Sequence, residues 1–175
     1  MPRQLVVLTG PIASGKTTVA MEVASEARRR GQTAAAIDID DLVGMIADWG
    51  SVTPDDWLIA REVAAQIAET LFLHEIETVI INGPFFSEAE RQHLLKGFAI
   101  EPPTLFVMLR VSLAESMRRI RENPTGRVLT LAPAFVEKIY ATIDWDNLPA
   151  QDVDLDTDGL SLDEVVAAVA EHLLR

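Results

Sequence analysis

The sequence has no cysteine and only three histidines among its 175 residues. Disulfide bonds, thiolate metal sites and cysteine nucleophiles are therefore excluded, and the scattered histidines make no credible zinc cluster. No apolar run approaches the ~20 residues that span a bilayer, so we expect no membrane insertion. The amino-terminal segment lacks the long apolar region and small-residue cleavage site of a secretory signal, and we expect a cytoplasmic protein.

Basic residues are also scarce, with 15 Lys and Arg against 27 Asp and Glu, and the formal net charge is -12. Such a chain repels a polyphosphate backbone, so we expect no nucleic acid as its principal partner. The hydrophobic fraction of 49% is sufficient for a sizeable core. With no internal repeat and no low-complexity linker, residues 1–175 are predicted to form a single domain, as a monomer or a homodimer.

Short β-branched apolar runs alternate with longer amphipathic stretches along the chain. This rhythm predicts an α/β fold. Most of the runs are continuously apolar, which is typical of a parallel sheet covered by helices on both faces. We predict a doubly wound sheet of five parallel strands, at residues 5–9, 34–39, 78–81, 104–109 and 152–155.

Helix starts are marked by capping residues. Residues 53–56, Thr-Pro-Asp-Asp, supply an N-cap, a proline and two first-turn acids, and Ser-x-x-Glu boxes begin at Ser87, Ser112 and Ser161. The helix after Thr53 is predicted to bury one face at helical spacing. That face comprises Trp57, Ala60, Val63, Ala64, Ile67 and Leu71.

The strongest motif is GPIASGKT at residues 10–17, which matches the phosphate-binding loop pattern. Gly10 and Gly15 let the backbone turn successive amide hydrogens toward an anion, Lys16 can reach the β- and γ-phosphates, and the Thr17 hydroxyl can ligate Mg²⁺. The flanking strand and helix argue against the alternative, a glycine turn with an incidental lysine. The predicted nucleotide ligands are Gly10, Pro11, Ile12, Ala13, Ser14, Gly15, Lys16, Thr17 and Thr18.

The absence of one motif indicates which nucleotide base is bound. No NKxD guanine-specificity motif occurs, which favours ATP as the nucleotide. The segment DLVG at residues 41–44 imitates a GTPase switch motif, but it follows the second strand and four residues are a weak pattern.

Three carboxylates, Asp38, Asp40 and Asp41, follow the second predicted strand. Ligands of doubly wound sheets lie at the carboxyl ends of strands, so this is the expected place for chemistry. Strand alternation predicts Asp38 and Asp40 on one side and Asp41 on the other. The alternative is that Asp40 and Asp41 only cap the next helix.

With these motifs in place, the chain resembles the small P-loop kinases that phosphorylate metabolites or antibiotics, such as shikimate kinase, gluconate kinase and chloramphenicol phosphotransferase. The resemblance extends from residue 10 through the acidic run to the segment DLDTDGLSLDEVV at 154–166. It implies transfer of the γ-phosphate of ATP to a hydroxyl, with Asp38 supporting Mg²⁺ and Asp40 holding or deprotonating the acceptor. It also implies an acceptor-binding region near 40–75 and a short lid near 119–133.

Four arginines lie close to the predicted lid. The resemblance implies that Arg119 lies against the adenine and that Arg127 clamps the transferring phosphate, so that Lys16, Asp40 and Arg127 form the predicted catalytic set. The alternative is a solvated basic helix face, which we expect for Arg118 and Arg121.

The third strand departs from many P-loop proteins because it ends in Asn82 rather than an acid. Asn82 can hold a water or the substrate, or it can belong to a plain turn with Gly83 and Pro84. Four aromatic side chains flank the expected acceptor region and can either line a pocket or pack in the core. They are Trp49, Trp57, Phe85 and Phe86.

Charge placement indicates the class of acceptor. Between Gly31 and Glu90 there are twelve acidic residues and one basic residue, Arg61. A phosphorylated acceptor usually needs arginine, so we expect a neutral or cationic small molecule with a hydroxyl group. The acidic surplus can also be solvated helix surface. Two other functions stay open: a nucleoside monophosphate kinase, and a nucleotide-dependent regulatory module that phosphorylates no small acceptor.

Overall fold

The computed structural model describes residues 3–122 and 132–173. Five strands alternate with helices, and all of their pairings are parallel. The strands are β1 (Gln4–Thr9), β2 (Ala34–Asp38), β3 (Thr78–Asn82), β4 (Thr104–Arg110) and β5 (Val153–Asp156). Their order in the sheet is β2-β3-β1-β4-β5, so β1 is central, β2 is one edge, β3 lies between them, and β4 and β5 extend to the other edge. The predicted fold class is confirmed.

Helices cover both faces of this sheet. In chain order they are α1 (Lys16–Arg29), α2 (Ile39–Ile46), α3 (Pro54–Leu73), α4 (Glu88–Leu95), α5 (Leu113–Glu122), α6 (Pro133–Thr142) and α7 (Leu162–Ala170). One buried cluster joins the sheet to α1 and α7, and a second joins it to α2, α3 and α4. The fully apolar strands follow from this double coverage.

The predicted helix starts agree with the structure at all four places, and the capping box is complete at three of them. Complete capping boxes occur at Thr53 with Asp56, at Ser87 with Glu90 and at Ser161 with Glu164. At Ser112 the hydroxyl accepts the Glu115 N–H at 3.1 Å. The Glu115 carboxylate instead pairs with two arginines of α5.

The predicted buried face of α3 is wrong on one flank. Ala60 and Ala64 are fully buried as expected, but Ile67 is 37% exposed. The buried side contains Arg61, Ala65, Ala68 and Phe72 instead. Alanine on this flank allows close approach, since a Cβ on Gly97 would collide with that of Ala65. Close packing of small residues, and not the largest apolar side chains, decides the orientation of α3.

Among the helices of residues 3–122 and 132–173, none has both the length and the apolar character needed to cross a membrane.

Candidate functional site

The loop between β1 and α1 has the backbone that an anion-binding loop needs. A Cβ on Gly10 would collide with the Leu109 carbonyl oxygen and with Ser14 Oγ. Gly15 has φ 92° and Ala13 has φ 59°, both in the left-handed region. Alternation between right- and left-handed residues turns successive amide hydrogens to the same side, and α1 begins directly after the loop.

Lys16 lies across this loop. Its Nζ donates a hydrogen bond to the Pro11 carbonyl oxygen at 2.9 Å. Burial lowers the pKa of Lys16, and the charges of Asp40 and Asp38 oppose that shift. Lys16 Nζ is thus bonded to the phosphate loop itself, close enough to Asp38 and Asp40 for their charges to act on it.

A hydroxyl, a carboxylate and an amide meet where β2 and β3 end. Thr17 Oγ1 donates to Asp38 Oδ2 at 2.7 Å, and Asn82 Nδ2 donates to Thr17 Oγ1 at 3.4 Å. The register of the sheet places Asp38 opposite Asn82. Asn82 is therefore the last residue of β3, and its side chain contacts the residue that follows Lys16.

This donor set fits Mg²⁺. The ion prefers hard oxygen ligands, and it commonly takes one or two from the protein and the rest from water and phosphate. Thr17 Oγ1 and Asp38 Oδ2 provide two such oxygens within hydrogen-bond distance of each other. Because Asn82 replaces an acid on β3, Asp38 supplies the negative charge of this group.

The prediction that Asp38 and Asp40 lie on one side relied on strand alternation, and it is wrong because Asp40 is not in the strand. β2 ends at Asp38, and Ile39 already begins α2. Asp38 is the N-cap of that helix, and its Oδ1 accepts the Asp40 N–H at 2.8 Å. Since Asp38 caps the helix, capping does not account for Asp40 or Asp41, which lie in the first turn.

Arg119 lies against the phosphate loop and a neighbouring cavity. Its Nη1 donates to the Ala13 carbonyl oxygen at 3.2 Å and its Nη2 to the Thr157 carbonyl oxygen at 2.7 Å. Its Nε donates to Glu115 Oε1 at 2.8 Å. The cavity has a volume of about 560 Å³ and is lined by Ser14, Gly15, Thr18, Arg118, Arg119, Thr157 and residues 159–162 among others. That volume lies within the range of small-molecule sites, roughly 300–1,000 Å³.

The other arginines near the predicted lid differ from one another. Arg118 forms ion pairs with Glu115 and Glu122, as a solvated helix face would, but it also lines the cavity. Arg121 is exposed on α5. Arg127, the predicted phosphate clamp, lies outside the described residues, as does most of the predicted lid.

Sequence reasoning missed three residues of this region: Glu115, Ser116 and Thr157. Thr157 is buried directly after β5, and its side chain donates to the Arg110 carbonyl oxygen at 2.8 Å. The motif DTDG at 156–159, a strand end followed by a turn glycine, was the available signal for Thr157. Ser116 had no signal, because its contact joins residues far apart in the chain.

Within residues 3–122 and 132–173, the arginines of α3 and α4 on the acceptor side are both buried. Arg61 is 3% exposed, and its Nη2 donates to Glu90 Oε1 at 2.7 Å and to the Pro84 carbonyl oxygen at 2.9 Å. Arg91 is equally buried, and its Nη1 donates to the Ala150 carbonyl oxygen at 2.7 Å. The Arg61 guanidinium is buried and bonded to Glu90 and Pro84, so it presents no phosphate-binding group to an acceptor.

The aromatic residues of this side have different roles. Phe85 is fully buried and belongs to the core. Trp49 and Trp57 are partly buried and meet edge to face, with ring centroids 6.1 Å apart. Phe86 is also partly buried. The two tryptophans and Phe86 stay candidates for an acceptor pocket.

The burial of Arg61 has a consequence for stability. Arg61→Ala would leave the Glu90 carboxylate and the Pro84 carbonyl without their buried partner, and we expect it to lower the free energy of unfolding by about 2–3 kcal/mol. Arg29→Ala is the control, since Arg29 pairs with Glu26 on the surface. It should cost less than about 0.5 kcal/mol. Urea unfolding measures both, and equal losses would contradict the structural role of Arg61.

A glycine-rich loop joins the carboxyl end of the central strand of this parallel sheet to α1. This arrangement defines a P-loop nucleotide-binding domain. The chain belongs to the AAA domain family, which it matches over residues 5–128. It is also 41% identical over 78 residues to the protein RecA of Gluconobacter oxydans (strain 621H), a match that covers 41% of this chain. The chain spans only 22% of the length of that protein.

Solved structures with the same fold include several P-loop kinases. The APS kinase CysC of Mycobacterium tuberculosis, in complex with AMPPNP and APS, has a TM-score of 0.72 at 22% identity, covering 98% of each chain. A sugar kinase from Janibacter sp. HTCC2649 gives 0.70 at 18% identity, covering 97% of this chain and 94% of that one. A gluconokinase from Sinorhizobium meliloti 1021 gives 0.66 at 19% identity, covering 97% and 90%. The resemblance to small-molecule P-loop kinases is confirmed at the level of the fold.

Proposed function

We propose that this protein is a Mg²⁺- and ATP-dependent phosphotransferase that moves the γ-phosphate to a hydroxyl of a neutral or cationic small molecule. The observation that carries the proposal is that the phosphate loop, Thr17, Asp38 and Asp40 meet at one place. Thr17 donates to Asp38, and Asp38 accepts the Asp40 N–H. The charges of both carboxylates act on the Lys16 ammonium, so the loop, the proposed metal ligands and a candidate base lie together.

The roles of the residues follow from this placement. The loop amides and Lys16 bind the β- and γ-phosphates, and Thr17 with Asp38 would hold Mg²⁺. The metal would supply charge neutralisation on the phosphate oxygens. Asp40 orients the acceptor hydroxyl and accepts its proton as the new oxygen–phosphorus bond forms. The bond from the γ-phosphorus to the bridging oxygen breaks, and ADP leaves.

Most of the rate in this scheme comes from positioning and from charge neutralisation. Arg119 and the cavity beside it would bind the adenine side of the nucleotide. Arg127, which lies outside the described residues, is retained as the proposed clamp on the transferring phosphate.

The acceptor class follows from charge. Both buried arginines on the α3 and α4 side already bind carboxylate or carbonyl oxygens within the fold. The first turn of α2 contributes Asp40 and Asp41, which repel an anionic acceptor. A neutral or positively charged hydroxyl compound meets no such penalty.

An ADP-release screen tests the proposal. Glucose, glucosamine and glucuronate form a set of pyranoses that are neutral, cationic and anionic, and the screen should add gluconate, hydroxylated antibiotics, shikimate-like acids and nucleoside monophosphates. We expect stimulation by neutral or cationic compounds, with a phosphorylated product detected by mass spectrometry.

Two results would overturn it. Efficient phosphorylation of a nucleoside monophosphate or a sugar acid would show that the charge argument is wrong. ADP release that no acceptor stimulates would favour a regulatory nucleotide-binding module.

A further inference from the structure

The outward side of the phosphate loop is held by side chains from other parts of the chain. When amide hydrogens turn inward to bind an anion, the carbonyl oxygens of the same loop turn outward and need partners of their own. Two consecutive carbonyl oxygens have them, both from α5: Ile12 accepts from Ser116, and Ala13 accepts from Arg119.

Ser116 is the unexpected member of this set. Its side chain is completely buried, and its Oγ donates to the Ile12 carbonyl oxygen at 2.8 Å across 104 residues of sequence. A serine inside a helix usually bonds a carbonyl of its own preceding turn or faces solvent. Here the hydroxyl leaves its helix and reaches the phosphate loop.

Peptide geometry makes this contact relevant to the inward side of the loop. The peptide unit between Ile12 and Ala13 is planar and trans, so its carbonyl and its N–H point in opposite directions. Holding the Ile12 oxygen toward α5 therefore turns the Ala13 N–H away from α5. The N–H of this peptide is then the group that an anion-binding loop would present to phosphate.

The backbone conformation of Ala13 also needs to be stabilised by its surroundings. Ala13 has φ 59°, a conformation that costs energy for any residue with a Cβ. The bonds from α5 to the Ile12 and Ala13 carbonyl oxygens fix the peptide groups before and after the Ala13 Cα. Ile12 packs, in addition, against the buried cluster formed by Val111, Val136 and Tyr140.

We propose that Ser116 is a positioning residue for nucleotide binding: its hydroxyl fixes the Ile12–Ala13 peptide so that the Ala13 N–H is available to phosphate before the nucleotide arrives. The proposal rests on the ATP-binding role proposed above. Without the hydroxyl, the loop adopts other orientations in the free protein, and binding must restore the competent one, which weakens the observed affinity.

The test is the equilibrium dissociation constant for ADP, measured by calorimetry without any acceptor. Ser116→Ala removes the donor without adding volume, and we expect the dissociation constant to rise about tenfold. Ser116→Thr retains the hydroxyl and should restore affinity to within about threefold, with Ser116→Cys, a weaker donor, in between. Phe98→Leu is the matched core control, because its ring packs against Phe72 in the cluster of α2, α3 and α4.

Thermal melting of each variant separates affinity from stability. An unchanged ADP affinity in folded Ser116→Ala would overturn the inference. So would Phe98→Leu, if its melting temperature and its ADP affinity both fell as much as those of Ser116→Ala. If the wild-type protein itself bound no ADP, the proposed function would fail along with this inference. Normal wild-type binding together with normal Ser116→Ala binding would defeat the inference alone.

Discussion

Lys16→Ala is expected to lower ADP release by at least about 10²-fold, the scale seen when one preorganised electrostatic donor is removed from a reaction centre. The Lys16 ammonium is bonded to the Pro11 carbonyl of the phosphate loop, and the charges of Asp38 and Asp40 act on it. Its removal takes away charge that the γ-phosphate needs as it transfers. ADP release with saturating ATP measures the loss.

The folded structure should survive this change. Burial lowers the pKa of Lys16, which means that the fold holds its charge at a cost, and the core lies in clusters that do not include its side chain. We therefore expect the melting temperature of Lys16→Ala to stay near that of the wild type. Lys96→Ala, an exposed lysine after α4, is the matched control and should retain full activity. A folded Lys16→Ala protein with normal turnover would remove the basis for the phosphate-loop assignment.

Asp40→Asn is expected to lower phosphoryl transfer by about 10² or more, while ADP affinity changes by no more than a few fold. The reason is that an amide cannot accept the acceptor proton, whereas positioned base catalysis contributes about 10²–10⁴ in rate. Asp40 is not the cap of α2, since that role belongs to Asp38, so the substitution leaves the helix start intact. The rate with the acceptor found by the screen, set beside ADP binding, measures the effect.

Asp38→Asn provides the comparison. Asn caps a helix nearly as well as Asp, so this variant should also fold. It loses the negative charge beside Thr17 and should need more Mg²⁺ for half-maximal activity. Normal transfer by Asp40→Asn, or identical Mg²⁺ dependence in both variants, would contradict the division of roles between these two carboxylates.

Local patterns predicted the elements that depend on local physics. The apolar runs gave the strands to within one or two residues, since a strand buried on both faces must be apolar along its length. The phosphate loop was predictable because its function requires glycine, lysine and threonine at fixed spacing. The boundary at Asp38 was misplaced by one residue, and that single residue removed the alternation argument for Asp40.

Contacts between distant segments could not be predicted in the same way. Arg61 belongs to a helix whose small residues decide which side packs inward, and its partner Glu90 is 29 residues away. From that sequence context alone, an arginine could equally be a ligand-binding residue or a solvent-exposed residue. The sequence around Ser116 carries even less information, because a serine within a charged helix gives no indication that its hydroxyl bonds the Ile12 carbonyl.

The fate of the γ-phosphate tests the central claim most directly. ATP labelled with ¹⁸O at the γ-phosphoryl group, incubated with Mg²⁺ and the acceptor library, can be followed by mass spectrometry of the products. We predict that one neutral or cationic hydroxyl compound gains the labelled phosphoryl group in step with ADP formation, and that Asp40→Asn slows this gain. Label found only in inorganic phosphate, at the same rate with and without every compound, would contradict the account.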